Sequence, residues 1–270
     1  MGVRSPGPAD ALAPVELRQQ RIIELVKQQG FARVSELSTR FAVSAVTVRT
    51  DLQALEARGH LSRIRGGAVP ADVLRSERPF EITAQDLAGE KADIGAHAAG
   101  LVTSGDTVII DVGTTTTAIA RALSNRSDLR EVTVFTNALN VAIELEVAHP
   151  RIQVVVTGGT VRPLQHSLVN PLATQLLADI RATVAFIGCN GIDVHTGVTN
   201  INRPEAEVKR AMLLAARRRV VVADGSKLGE VELARVCDLD EVSLVITDRT
   251  ADPDVVAEVA ATGCQVSLAD

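Results

Sequence analysis

Aromatic side chains are nearly missing from this 270-residue chain: five Phe, no Trp and no Tyr. A core must then be built from Val, Ile, Leu and Ala. Base stacking on aromatic platforms, the habit of many RNA and single-strand binders, is disfavoured. Cysteine is scarce as well. Cys189, Cys237 and Cys264 stand far apart without metal-ligand spacing, which argues against a disulfide framework. They read as small apolar fillers of a protein in a reducing cytoplasm. No apolar run reaches the ~20 residues that a membrane-spanning helix requires. Residues 1–14 lack the basic and apolar regions of a signal peptide and read as a disordered tail rich in Pro, Gly and Ala.

What is present is ordinary in amount and unusual in distribution. Apolar residues make up 46% and charged ones 23%, enough for one large domain and one small one. The net charge of −5 conceals an asymmetry. Residues 1–70 hold ten Lys and Arg against six Asp and Glu, whereas the remainder holds 18 against 27. A basic front on an acidic body fits a nucleic-acid module joined to a domain with other work.

In the front, Leu17, Ile22, Leu25 and Val26 mark a first helix ending near Gly30. Val34, Leu37 and Phe41 fall at the spacing of a second, short helix. Ser44 is placed to N-cap a third, whose Val48, Leu52 and Leu55 form one buried stripe. Ser44, Ala45, Thr47, Arg49, Thr50 and Gln53 are left to face outward. Small and hydrogen-bonding residues at a helix start suit close approach to a DNA major groove. Residues 61–65 then alternate as a strand and turn at Gly66 and Gly67, so that Arg63 and Arg65 would project toward phosphates or the minor groove. A three-helix domain that merely packs against the rest is the competing reading; the Arg-bearing Gly-Gly hairpin weighs against it.

These residues resemble the winged helix-turn-helix of the DeoR family of bacterial sugar-metabolism repressors. The likeness rests on Val43-Ser44, Thr47, Val48, Arg49, Asp51-Leu52, Leu55-Glu56, Gly59, Leu61, Arg63 and Gly66-Gly67-Ala68. The family usually has two arginines before the Asp, where this chain has Arg49 and Thr50. One guanidinium that could contact a base or phosphate is therefore absent.

After residues 71–85, a linker with partial order, residues 86–270 read as alternating helix and strand. Strands are predicted at 107–111, 132–136, 153–157, 184–188, 219–223, 243–247 and 265–268. Most are Val/Ile-rich runs apolar on both faces, with helices between most of them. The expected fold is therefore α/β, a mostly parallel, doubly wound sheet. Such a sheet gathers its strand ends on one edge, where ligands bind. Here those ends are Asp111 to Thr115, Thr136-Asn137, Gly158-Gly159, Gly188 to Gly191 and Asp224 to Lys227. Gly113 allows close backbone approach, and Thr114 to Thr117 bring hydroxyls and N–H groups to a helix start, which suits a phosphate as well as it suits helix capping. Lys227 would complete an anion clamp.

This half too resembles the DeoR family, whose sensor domain is similar to ribose-5-phosphate isomerase and glucosamine-6-phosphate deaminase. The matching pieces include Lys91, Gly105-Asp106, Asp111, Gly113 to Thr116, Thr136-Asn137, Gly158-Gly159, Ser167 to Val169, Glu205-Ala206, Lys209, Asp224 and Lys227. The resemblance implies that Asp111, Gly113, Thr114, Thr115, Thr116, Gly158, Gly159, Glu205, Asp224 and Lys227 line an effector pocket, and Asn137 is counted with them as effector-binding. Val112 and Asn170 depart from the family's usual Ser and Gly.

The expectation is a cytoplasmic regulator, a repressor in the family's manner, that binds an operator in double-stranded DNA as a homodimer or homotetramer and responds to a phosphorylated sugar or related metabolite. No enzyme activity, cofactor, metal or membrane is expected. An active isomerase or deaminase would need Glu205 and Asp224 as bases but lacks the acidic cluster after residues 184–188. An actin-like sugar kinase would need two related halves. His97 reads as a packing residue, His166 and His195 as loop residues, and Arg217 to Arg219 as a solvated run before a strand.

Overall fold

The computed structural model describes residues 15–29, 31–58, 60–64, 66–70 and 77–269. The chain divides into two compact units between Thr83 and Ala84. The expected tail, Gly30, Gly59 and Arg65 lie outside the described residues.

The first unit contains α1 (Val15–Gln29), β1 (Ala32–Arg33), α2 (Val34–Phe41), α3 (Ala45–Ala57), β2 (Leu61–Ile64), β3 (Gly67–Pro70) and the single turn α4 (Phe80–Thr83). Ile22, Val26, Leu37, Phe41, Val48, Leu52, Leu55 and Leu61 form its core, so the predicted stripe of α3 is the buried one. Leu17, expected on the inner face of α1, is 42% exposed, and Gln19 takes the buried place. Its amide is drawn inward by Asp51, as described below. The hairpin β2–β3 is antiparallel with Arg63 opposite Ala68, and β1 adds a third strand along β3. Two residues are too few for a periodic pattern, which is why β1 left no trace in the sequence. It forces Gly67 close: a Cβ there would lie 2.2 Å from the Ala32 carbonyl oxygen.

The second unit begins with α5 (Ala88–Ala99), β4 (Thr107–Ile110), α6 (Thr114–Ser124), β5 (Val132–Thr136), α7 (Leu139–Glu146) and β6 (Ile152–Val156). A hairpin of β7 (Thr160–Arg162) and β8 (Ser167–Val169) follows, then α8 (Leu172–Ala178) and β9 (Ala182–Gly188). The chain continues through β10 (Gly191–Asp193), β11 (Gly197–Asn200), α9 (Arg203–Leu214), β12 (Ala216–Val222) and β13 (Ala234–Cys237). It finishes with β14 (Leu244–Thr247), α10 (Pro253–Ala261) and β15 (Gln265–Leu268).

Seven strands make one parallel sheet in the order β15-β14-β12-β9-β4-β5-β6. These are the seven strands expected from the sequence. Their alternation sorts side chains onto two cores. Val108, Ile110, Val134 and Phe186 pack with Ile94, Ile119 and Val141 of α5, α6 and α7. Ile109, Ala185, Ile187 and Val221 pack with Leu177, Met212 and Val259 of α8, α9 and α10. Both faces are covered, as a doubly wound parallel sheet requires.

Three departures stand out. The hairpin β7–β8 and the antiparallel sheet β10-β11-β13 were not expected; both are built from strands of three or four residues. Arg217 to Arg219 lie inside β12 rather than before a strand. The described residues form one sheet of this kind, not two related halves, so the kinase alternative has no structural counterpart.

Candidate functional site

From β4 the chain runs outward through β5 and β6; from β9 it runs the other way through β12, β14 and β15. The order reverses between β4 and β9, and in such sheets the crevice at the strand ends there receives ligands. Asp111 leaves β4 and Gly188 ends β9 at this point. The Asp111 N–H donates to the Phe186 carbonyl at 3.1 Å, and Asp111 Oδ2 accepts the Gly188 N–H at 3.2 Å.

Asp111 is fully buried and ion-paired with Lys209, whose ammonium also donates to the Gly188 carbonyl at 3.0 Å. Asp111 Oδ1 has no hydrogen-bond partner. Burial pushes this carboxyl up to about 6, against the attraction of Lys209; Glu205 adds repulsion. Glu205 and Lys209 sit one turn apart on α9, both buried. Asn202 caps that helix, its side chain accepting the Glu205 N–H at 3.2 Å. The Glu205 carboxylate is ion-paired with Arg162 of β7 and accepts the Ser167 hydroxyl of β8 at 2.6 Å. Cys189 directly follows Gly188. Burial pushes its thiol up to about 12, with Lys209 and Lys227 pulling down and Asp224 and Asp111 pushing up.

The turn before α6 carries both readings offered for it. Gly113 caps the helix at φ 148, in the region that favours glycine, and its carbonyl accepts the hydroxyls of Thr116 (3.0 Å) and Thr117 (2.7 Å). Those two threonines serve the helix. The first backbone bond of the turn is Thr117 N–H to Gly113, so the N–H groups of Thr114, Thr115 and Thr116 precede the helical ladder, an arrangement that can receive an anion. Asn137 is buried and tied down. Its Oδ1 accepts the Val112 N–H and its Nδ2 donates to the Leu168 carbonyl, both at 3.1 Å, which joins the β4 and β8 loops. Gly159 supplies shape rather than contact: φ is 128, and a Cβ would lie 2.1 Å from the Val169 carbonyl oxygen. Gly158, at φ 74, shares that bend. Asp224 accepts the Ser226 N–H at 3.2 Å and starts the tight turn that carries half-buried Lys227.

The structure joins Asp111 to Lys209 and Glu205 to Arg162 and Ser167; of these partners, sequence reasoning had named none of Arg162, Ser167 and Lys209 as pocket residues. The i,i+4 spacing of Glu205 and Lys209 was a usable signal for Lys209. Nothing local singled out Arg162, which sits in a three-residue strand. Among the described residues no cluster of His, Cys, Asp and Glu could hold a metal ion. His97 packs α5 against β15, its Nε2 lying 3.1 Å from the Ser267 hydroxyl.

In the first unit, Ser44 caps α3 as expected, its oxygen accepting the Thr47 N–H at 3.1 Å. Arg49, Thr50, Gln53 and Arg63 are exposed and Thr47 is half-buried. The Glu56 carboxylate accepts the Arg63 N–H at 2.8 Å and ties the strand to the helix. Asp51, adjacent to Thr50, is a structural member: it accepts Arg18 Nε at 2.6 Å, Arg18 Nη2 at 3.1 Å and Gln19 Nε2 at 3.0 Å, pinning α1 to α3. No described helix is long and apolar enough to cross a membrane.

Residues 18–72 match the DeoR-like helix-turn-helix domain, and residues 87–249 match the DeoR C-terminal sensor domain. The HTH-type transcriptional regulator YulB of Bacillus subtilis is 38% identical over 87% of this chain and 90% of its own length. The HTH-type transcriptional regulator GlpR of Haloferax volcanii is 36% identical over 94% and 98%, and the glycerol-3-phosphate regulon repressor of Escherichia coli 32% identical over 86% and 90%. A ribose 5-phosphate isomerase from Methanocaldococcus jannaschii aligns over 51% of this chain and 52% of its own, 18% identical with a TM-score of 0.38, too slight a likeness to carry an argument. The chain belongs to the DeoR family of transcriptional regulators.

Proposed function

We propose that this regulator is a repressor whose operator affinity is set by a phosphorylated sugar, or a related anionic metabolite, bound at the β4/β9 crevice. The observation that carries this reading is the joining, in one chain, of a winged helix-turn-helix to a crevice holding the first turn of α6, Lys227, the buried Asp111, Lys209 and Glu205, and half-buried Arg162. In this reading the metabolite's phosphate takes the N–H groups of Thr114 to Thr116 with Lys227, and its hydroxyls meet Glu205 and Asp224. Ser44, Thr47, Arg49, Thr50, Gln53, Arg63 and Arg65 form the DNA face. Residues 15–70 bind DNA, 71–85 link, and 86–270 sense. A homodimer or homotetramer matches two half-sites, since one monomer presents one recognition helix. The names of two relatives, a putative aga operon transcriptional repressor and the glycerol-3-phosphate regulon repressor of E. coli, support repression, and the second supports a link to phosphorylated compounds.

Control requires that the ligand bind the DNA-competent and DNA-incompetent states unequally. The test is titration of a labelled upstream fragment with the full chain, with and without a panel of sugar phosphates. One member should shift the midpoint. Identical midpoints across the panel would remove the phosphorylated-sugar reading; no binding to any upstream fragment at low salt would remove the DNA reading.

A further inference from the structure

The hydroxyls at the start of α3 are turned toward the helix itself. Ser44 Oγ accepts the Thr47 N–H and lies 2.8 Å from Thr47 Oγ1, so one of their two hydroxyl protons is used between them, whichever donates. Thr50 Oγ1 donates to the Val46 carbonyl at 3.1 Å. That back-bond to the preceding turn occupies the Thr50 hydroxyl, so the methyl is what this exposed residue has left to offer a partner. The exposed stripe of the helix is Val46, Arg49, Thr50 and Gln53, at i, i+3, i+4 and i+7. Val46 is 68% exposed, more than Val15 or Leu17 in the same unit.

The major-groove edge of DNA offers one apolar group, the 5-methyl of thymine. We infer that Val46 and the Thr50 methyl form an apolar reader for thymine 5-methyl groups, which makes Val46 a specificity-determining residue. The operator then carries T·A pairs opposite the first two turns of α3. The inference rests on α3 being the recognition helix, as the second helix of a helix-turn-helix is. It also accounts for Thr50: where a second arginine would favour guanine, a methyl on the same stripe favours thymine.

The experiment selects duplexes from a random library with the full chain, then remakes the winning sequence with deoxyuridine in place of thymine, one position at a time. Uracil lacks only the methyl. Affinity should fall about fourfold at each contacted position, the equivalent of ~0.8 kcal/mol for one buried methyl. Val46→Ala, at an exposed site, and Thr50→Ser, which keeps the hydroxyl and its back-bond, should each weaken the thymine duplex and leave the uracil duplex unchanged. A selected site bound equally well with thymine and uracil would overturn the inference while leaving DNA binding intact. So would thymine and uracil duplexes weakened alike by Val46→Ala. Selection of no sequence at all would overturn the DNA-binding reading itself, and the inference with it.

Discussion

Asp111 carries an unusual load for one side chain: a buried carboxylate, an ion pair, a backbone acceptor and an unpartnered oxygen in one place. Removing one partner of a buried pair costs about 3–5 kcal/mol, because the remaining charge is stranded. Asp111→Asn should lower the unfolding free energy of the second unit by that amount in urea titrations, and Asp111→Asn with Lys209→Met should recover most of it. The pH dependence has a definite sign. The carboxyl sits at about 6 in the folded chain against its ordinary 3.8, so its contribution to stability is complete below about pH 4 and is lost as pH rises through 6. Urea midpoints between pH 4.5 and 7.5 should show that decline in the wild type, and less of it in the double variant. Gly159 is a second residue with a sharp expectation. Alanine there meets the Val169 carbonyl at 2.1 Å with φ at 128, and should destabilise the hairpin base by ~1–3 kcal/mol. Thermal melts of Gly159→Ala check this, with Gly105→Ala, where a Cβ meets no atom within 4 Å, as the control for a positive φ alone.

At the scale of elements, caps and ties decide whether α3 is presented. Ser44 anchors its first turn, and Ser44→Ala should cost ~1 kcal/mol of helix stability. Asp51 ties α3 to α1 through Arg18, in a pair that is nearly buried on both sides. Asp51→Ala should abolish operator binding in a mobility-shift assay while leaving any ligand-induced rise in melting temperature of the second unit unchanged. Loss of both would show that Asp51 supports more than the first unit. The elements that sequence patterns revealed were those long enough to show a period. All seven sheet strands and the buried stripe of α3 announce themselves through Val, Ile and Leu. Strands β1, β7 and β8, with two or three residues each, could not, and Leu17 misled because one apolar residue at the right spacing says nothing about which neighbour reaches the core.

For the whole molecule, input and output obey one linkage. If a metabolite weakens operator affinity by some factor, the operator must weaken metabolite affinity by the same factor. Isothermal titration of the effective sugar phosphate, with and without saturating operator duplex, should give a ratio of dissociation constants equal to the shift in DNA midpoint. Unequal factors would mean that the two ligands do not meet through a single equilibrium of this chain. A ligand at a hundred times its dissociation constant should also raise stability by about 2.7 kcal/mol. The basic front and acidic body are consistent with such a division of labour, since the phosphate contacts fall to the half with excess Lys and Arg.

The sequence by itself determined the doubly wound sheet, the helix-turn-helix with its wing, and the strand-end loops that meet at one edge. Each of these follows from local periodicity, capping and the rule that parallel strands share a direction. Only the tertiary structure decided which charges meet. Lys209 reaches Asp111 across 98 positions of chain, Arg162 reaches Glu205 across 43, and Arg18 reaches Asp51 across 33. A local pattern carries no information about partners so far apart; burial does, because a charge removed from water must find its counter-charge wherever the packing of the elements places one.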